Sequence, residues 1–529
     1  QFSVFEVSFT TEATAAVIRL DDDAPWVVDL LNALARQSLL VWDRRTERYR
    51  ILQTIKDFAA SKLGDPQAAY ERHWRWYGQL GTPEAVDERW RSPEATAAAD
   101  AEIDNLVAAA RRATAAGDRS AQVNAVHAAW PTLRLTGPLE LASELVESLA
   151  DDQASARTWL VVAQSRRNRG HAEAALEALD RADAVMDDTD AATRARALDM
   201  RGIVLYTRGR RDEAIALLEP ALRFAYGHGL VAEAGQIRFS LGSCMRQLRR
   251  HDEALAHFMS DRRAMDDLKL LRTATAMRSQ LGLVELNRGR LKEAKEYLKG
   301  ATKANEVQRD FYNLGASAGN LGLVYRMLGE WARAEQLIRQ AVAVGRRIGE
   351  PLNLSINLCN LADVLIERGR GDEAIELVDE ARGLAIDAEL RMETTFGALE
   401  GWRWLRSGNA ERALPHLEAA VAALRAADKR HDSEDWMRLA EAQLELGRFA
   451  EARRTLSEAI DIATRTANPQ QQVQAWATMA VSQELEGLRP AAKSALAQAQ
   501  AIARTAQITA QSTPGQWLRR AQHMMASGR

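Results

Sequence analysis

The sequence predicts a mainly α protein: a solenoid of stacked helical pairs behind a small unit that mixes helices and strands. Three observations carry that expectation. The chain has 529 residues, too many for one hydrophobic core, so several domains or a repeat array are required. Alanine is abundant and only 12 prolines occur, which favours helix. A short turn motif also recurs at a near-constant interval through the back of the chain.

The first element covers residues 1–70. Residues 26–40, "WVVDLLNALARQSLL", read as a helix leading into a strand. "SLLVWD" and "RYRILQ" then form a hairpin across the charged "RRTE". "TIKDFAASKL" follows as a helix with Ile55, Phe58, Ala59 and Leu63 on one side. Helix, strand, charged wing, strand, helix is the order of a winged helix. Such units often read DNA, but residues 1–90 hold 11 Lys+Arg against 14 Asp+Glu, a balance of 11 − 14 = −3. Asp21, Asp22 and Asp23 stand in a row, and Arg44, Arg45, Arg48 and Arg50 cluster on the wing alone. A phosphate-binding face needs a broader cationic footprint, so no direct nucleic-acid contact is expected from this chain. The chain opens at Gln1, not Met, inside the apolar run "QFSVFEVSF". The expectation is that an N-terminal part of a longer protein precedes it.

Residues 71–154 read as connecting helices with one degenerate repeat. "WRWYG" (Trp74, Trp76, Tyr77) is expected to seat these helices against the winged helix. "WPTLRLTGPLELASELVESL" turns at Gly137 and places Ala142 and Val146 at the offsets of the repeats that follow.

Residues 155–500 hold nine repeats of about 40 residues. Their turn residues are Gly170, Gly209, Arg249, Gly289, Gly329, Gly369, Gly408, Gly447 and Gly487, spaced by 39 or 40. Seven before each turn stands Gly or Ala, five after it always alanine, and nine after it always a larger apolar residue. Twelve after it alanine returns, except at Asp261. Small residues let two helices approach closely, and the larger residue fills the space between them. Glycine supplies the left-handed stop of the first helix. A single pair cannot bury both faces, so neighbours must stack. Residues 501–529 are expected to form a C-terminal capping helix.

This pattern resembles the tetratricopeptide repeat in a longer form, over about residues 155–500. The family's tryptophan near the start of the first helix appears as Trp159, Trp436 and Trp476. The resemblance implies a right-handed superhelix whose concave groove is lined by the first helix of each pair. In that family an asparagine nine residues before the turn often clamps a peptide backbone.

"RYRILQTIKDFA", preceded by "LLNALARQSLL" and "FSVFEVSFTTEAT", also resembles bacterial signal-transduction NTPases with numerous domains, which include large transcriptional regulators. There a winged helix follows the nucleotide-binding core, and a repeat array follows the winged helix. "AEIDNLVAAARRATAAGD" (101–118) matches the helical segment that comes just before their repeats. In related plant and apoptotic NTPases, Met-His-Asp at the strand-to-helix junction senses a phosphate. The matching positions here, Ile51, Leu52 and Gln53, lack the histidine and imply interdomain coupling without phosphate sensing. No GxxxxGK[ST] occurs, so the nucleotide-binding core is absent from this chain.

Chemistry-bearing motifs are missing. The nine histidines form no HExxH or zinc-spaced cluster, and no GxSxG occurs. His251 and His257 read as solvated surface positions. No catalytic residue, metal site or cofactor is expected, and the chain does not read as an enzyme. Two distant cysteines, Cys244 and Cys359, point to a reducing cytoplasm. No stretch approaches 18 uncharged apolar residues, so no membrane partner is expected.

Binding is the remaining role. Nine before the turn, the central repeats carry Ser240, Gln280, Asn320 and Asn360. Six and three before it come Gln164, Arg167, Tyr206, Ser243, Arg246, Leu323, Arg326, Asp363 and Trp402; thirteen before it stand Arg157, Arg196 and Gln236. Amides both donate and accept, as main-chain capture requires. The cationic early repeats suit an acidic partner near Arg157–Arg326, whether a protein, a peptide or a small-molecule effector. The expected function is the sensor arm of a transcription-controlling NTPase, coupled to the missing core by the winged helix. A stand-alone scaffold for protein–protein interaction is the alternative.

Overall fold

The computed structural model describes residues 1–20, 26–86, 93–187, 189–260, 271–388, 390, 392–426 and 433–527. Asp21, Asp22, Asp23 and Asp261 lie outside the described residues. The front unit runs strand β1 (Ser8–Phe9), helices Thr11–Val17 and Val27–Arg36, strands β2 (Leu40–Asp43) and β3 (Arg48–Ile51), then helix Gln53–Lys62. The sheet order is β1-β3-β2, both pairs antiparallel, with Trp42 opposite Tyr49 and Phe9 opposite Tyr49. Position in the sheet decides what is buried, with the central strand β3 better covered than the edge strand β2. Phe9, Leu40 and Tyr49 point inward, while Val41 and Trp42 remain exposed on the edge strand β2. The helix Gln53–Lys62 has no fully buried residue, and Phe58 is 65% exposed, so its apolar side is only partly covered.

The connecting helices include Gln67–Gly78, Ile103–Ala116, Arg119–Thr136 and Leu139–Glu147. Trp74 and Tyr77 are buried, and the Trp74 indole N–H donates to Asp118. One hydrophobic core runs without a break from Val4 through Leu106, Val126 and Val146 to Leu179 and Ala197. Polar contacts tie the same parts together. Arg48 pairs with Glu102 in a buried 2.6 Å contact. Asn105 accepts from the Glu6 N–H and donates to the Ser8 carbonyl, and Arg112 donates to the Val4 carbonyl and Glu6.

Among the described residues nine helical pairs follow. Their first helices begin at Ala156, Ala191, Val231, Leu271, Phe311, Pro351, Glu393, Glu434 and Pro469. All nine turn residues adopt positive φ, including Arg249 at 60°. Each first helix thereby ends in the left-handed stop, with bonds such as Arg210 N–H to the Leu205 carbonyl. The small residue seven before the turn packs on the large one nine after it. A Cβ at Gly202 would stand 2.5 Å from Leu218, at Gly242 2.6 Å from Phe258, and at Gly322 2.4 Å from Ile338. The alanines five after the turn, such as Ala214, Ala294 and Ala413, are wholly buried.

The stack winds tightly enough for successive superhelical turns to touch. A Cβ at Gly137 would meet Ile348 at 2.7 Å, at Gly170 the Ala388 carbonyl at 2.5 Å, and at Gly329 the Gln511 carbonyl at 2.2 Å. The C-terminal helix Thr513–Ser527 packs on the ninth pair and also reaches the fifth, where the Thr513 hydroxyl donates to the Arg326 carbonyl. His251 is buried and not solvated: desolvation pushes its pKa down to about 4, and burial likewise lowers that of His257. His251 opens a second helix on its inward side, while Asp252 and Glu253 beside it are exposed.

The turn glycines thus face two environments. Gly209→Ala, at φ 80° in open space, is expected to cost about 1 kcal/mol from backbone strain alone. Gly329→Ala adds a clash with the next superhelical turn and is expected to cost about 2–3 kcal/mol. Denaturant unfolding checks the difference; equal costs would mean that the turns do not touch.

Candidate functional site

Winding forms a cavity of about 1490 Å³ along the inside of the superhelix, partly open to solvent. Helical spacing explains which residues reach it. Arg157, Leu160, Gln164 and Arg167 recur on one face of the first repeat's first helix, as Arg196, Asp199, Ile203 and Tyr206 do in the second. Gln236, Ser240 and Ser243 come from the third repeat, and Arg272 and Gln280 from the fourth. The opposite wall is built from the starts of later first helices: Asp310, Tyr312 and Asn313, then Glu350 and Leu352. Helix Arg119–Thr136 adds His127, Trp130 and Arg134.

Of the residues expected in the groove, Arg157, Gln164, Arg167, Arg196, Tyr206, Gln236, Ser240, Ser243 and Gln280 share this cavity. Arg246 stands beside it, donating to the Gln280 side-chain Oε1 at 2.9 Å and to the Tyr206 hydroxyl at 3.4 Å. Asn320, Leu323 and Asn360 do not line it, and neither asparagine side chain is hydrogen-bonded within the described chain. Asn357, one turn before Asn360, instead donates to the Gly315 carbonyl and fixes two neighbouring first helices.

Arg326 and Trp402 line a separate cavity of about 240 Å³, and Asp363 joins them through its ion pair with Arg326. Arg326 contacts Asp363 and Glu434 at 2.8 Å each, and Arg438 bridges the same two carboxylates. Trp402 lies under Arg438 and Arg406, 4.9 and 5.4 Å from its ring centre. Burial opposes ionisation of Glu434, but the two guanidiniums outweigh it and hold its pKa below the carboxylate range. The network ties repeats five, six and eight, so Arg326 adds no open cation to the groove. Its partners, Glu434 and Arg438, are remote in sequence.

At the junction expected to couple domains, Ile51 ends β3 and is partly buried against the front core. Leu52 is 48% exposed, and Gln53 donates to Asp57 one turn on. None of the three reaches the array's cavity.

The electrostatics of the large cavity follow from burial. Asp199 accepts from the Ser240 hydroxyl at 2.6 Å, yet desolvation pushes its pKa up to about 6. Glu350 caps its helix through the Leu352 and Asn353 N–H groups, and burial still raises its pKa to about 7. Arg134 is lowered by burial to about 10, with Asp310 opposing the fall, and desolvation also lowers Arg272. Arg167 donates to Asn168 and acts on both Asp199 and Glu350, so it sits between repeats two and six. Asp199 lay within reach of the sequence, since it shares the face of Arg196 and Tyr206. Asp310, Tyr312 and Glu350 did not, because closure of the superhelix brings them in.

Among the described residues no group of three or more His, Cys, Asp or Glu is placed to hold a metal ion. No described helix is long and apolar enough to cross a membrane.

Tetratricopeptide repeat models match residues 272–347 and, for a second model, 200–260, 320–389 and 399–469. The chain therefore carries tetratricopeptide repeats in a helical solenoid. Among curated proteins it is 37% identical over 114 residues to "Putative HTH-type transcriptional regulator Rv0890c" of Mycobacterium tuberculosis and to its counterpart in Mycobacterium bovis. The match covers 20% of this chain and 12% of those relatives' length. Among solved structures, a Rap protein complexed with Competence and Sporulation Factor aligns with TM-score 0.49 at 14% identity, over 64% of this chain and 96% of that one. A STAND protein with a tetratricopeptide repeat sensor from Pyrococcus horikoshii aligns at 0.37 and 13%, over 73% and 63%. The apo quorum sensor NprR from B. thuringiensis aligns at 0.45 and 15%, over 69% and 99%.

Asp199→Asn tests the buried acid. A raised folded pKa makes stability fall as pH rises from the unfolded carboxylate range through about 6. The amide removes that penalty, so the variant is expected to be more stable than the parent by on the order of 1 kcal/mol at neutral to alkaline pH. The advantage should vanish in mild acid. Melting curves across pH check this, and a pH-independent difference would contradict it. Arg438→Leu should cost about 3–5 kcal/mol by leaving Asp363 and Glu434 underpaired.

Proposed function

We propose that this chain is the sensor and regulatory arm of a cytoplasmic signal-transduction NTPase that controls transcription. The repeat superhelix binds an effector, and the front unit, a winged helix, passes its occupancy to a nucleotide-binding core on a separate part of the protein. The observation that carries this reading is the large, partly open cavity lined by the first helices of the repeats. A scaffold that only collects partners needs an outer surface, whereas a sensor needs an interior that can be empty or filled.

Two further features support coupling. The unbroken core from Val4 to Ala197, with the Arg48–Glu102 and Arg112–Glu6 pairs, joins the front unit to the first repeat as one packed body. A shift of the repeats therefore moves the front unit with them. The front unit also displays large apolar side chains: Trp26 is 83% exposed, Phe58 65% and Val7 55%. Such a concentration suits a protein surface that docks there. The 114-residue match to a transcriptional regulator agrees with the regulatory role. In this reading the chain performs no catalysis, holds no cofactor and does not touch nucleic acid or membrane itself.

The test is the gene upstream of the codon for Gln1. A P-loop there, behind a DNA-binding domain, is the expected result; an initiator methionine beside Gln1 would overturn the reading. Trp26→Ser and Phe58→Ser should then abolish co-purification with the separately expressed core. Both changes are expected to alter stability by no more than about 0.5 kcal/mol. Undiminished co-purification would place docking elsewhere.

A further inference from the structure

The smaller cavity, about 240 Å³ and partly open to solvent, lies where the superhelix closes on itself. Its walls come from the fifth to ninth repeats and from the C-terminal helix Thr513–Ser527. Three buried polar atoms of its lining residues make no hydrogen bond within the described chain: Trp402 Nε1, Arg326 Nε and Gln470 Oε1. Trp402 and Gln470 are each 5% exposed, so bulk water hardly reaches them. Other atoms of these side chains are engaged: Gln470 Nε2 donates to the Gly289 carbonyl, and the terminal nitrogens of Arg326 donate to Asp363 and Glu434. Two orphan donors and one orphan acceptor thus belong to one small site. Buried polar groups are ordinarily satisfied.

The charged groups fall into two sets. Arg326, Arg438, Asp363 and Glu434 neutralise one another in the closed network beside Trp402. The other described lining charges are Glu367, Glu441, Arg406 and Arg520, two of each sign. Their ion pairs are with one another, and all are long. Arg406 stands 3.9 Å from both carboxylates, and Arg520 stands 3.7 Å from Glu441. These separations lie beyond hydrogen-bond distance. Glu441 is 6% exposed yet accepts no hydrogen bond within the described chain. Burial pushes its pKa up to about 7, against the pull of Arg406 and Arg520. A buried carboxylate in this position is costly until donors reach it.

We infer that this cavity binds a free α-amino acid with an apolar side chain. The ammonium donates to Glu441 and to Gln470 Oε1, and the carboxylate accepts from the Trp402 indole and Arg520. Trp331, Met437 and Trp517 cover the side chain. A zwitterion suits walls whose charges balance, because an ion of one sign would leave a buried charge uncompensated. The volume lies below the ~300–1,000 Å³ of drug-sized sites, which limits the occupant to a small molecule. Held there, the ligand joins the C-terminal helix to repeats seven, eight and nine and so reinforces closure of the superhelix. The inference goes beyond the sensor reading and does not depend on it.

Isothermal titration of the whole chain with L-leucine, 4-methylpentanoate and isoamylamine tests the inference. The second probe is leucine without its ammonium, and the third is leucine without its carboxylate. One-to-one binding of leucine is expected, with each stripped analogue at least tenfold weaker, a loss of about 1.4 kcal/mol or more. Glu441→Gln should weaken leucine binding about tenfold. Arg520→Gln, at a side chain that is half exposed, serves as the second variant should the first not fold. Arg454→Gln, exposed on the second helix of repeat eight, should have no effect. No binding of leucine, equal binding of either analogue, or indifference to whichever of the two site variants is used would overturn the inference. The sensor reading is decided separately, by the gene upstream of Gln1.

Discussion

Two helices can lie this close only where one of them has almost no side chain, and that constraint shapes the whole array. Gly202, Gly242, Gly282, Gly322 and Gly401 each face the large apolar residue of the partner helix at a distance that no Cβ would tolerate. The other four repeats place Ala163, Ala362, Ala440 and Ala480 there, and a small residue recurring at a near-fixed interval lets the nine pairs wind into a superhelix. Because the pairs are tightly packed, the pitch is short and one turn of the superhelix reaches the next. The glycines at 137, 170 and 329 are where that second contact occurs. The cavity is a consequence: the inner faces of the first helices are roofed by later repeats.

Roofing changes the chemistry. Carboxylates that would be ordinary helix caps at a surface, such as Glu350, become buried and resist ionisation. Polar side chains that would point into an open groove instead satisfy one another, as Gln164 does with Trp130. The later repeats solve the same problem differently. There Arg326, Asp363, Glu434 and Arg438 neutralise each other in a closed network, which leaves only a small space beside Trp402.

The repeat architecture was legible because it is local. Every turn residue, and every small and large packing position, recurs at a fixed offset, and even Arg249 takes the left-handed conformation that the period demands. The faces of the first helices were legible for the same reason, so Arg157, Gln164, Arg167, Arg196 and Tyr206 meet in one cavity. What a single repeat cannot encode is which distant repeat will face it. Asp310, Tyr312 and Glu350 enter the site only through closure of the superhelix, and the positive charge of Arg326 is balanced by Glu434, 108 residues away. Burial of His251 depends likewise on packing against its neighbours.

Turn-on-turn closure is the central claim, and a distance across it tests the claim most directly. Spin labels at Arg169→Cys and Asp387→Cys flank the contact between Gly170 and Ala388, and native Cys244 and Cys359 are buried away from the reagent. Double electron–electron resonance should give one short, narrow distance distribution. A long or broad distribution would mean an open solenoid whose turns do not meet and would contradict the account.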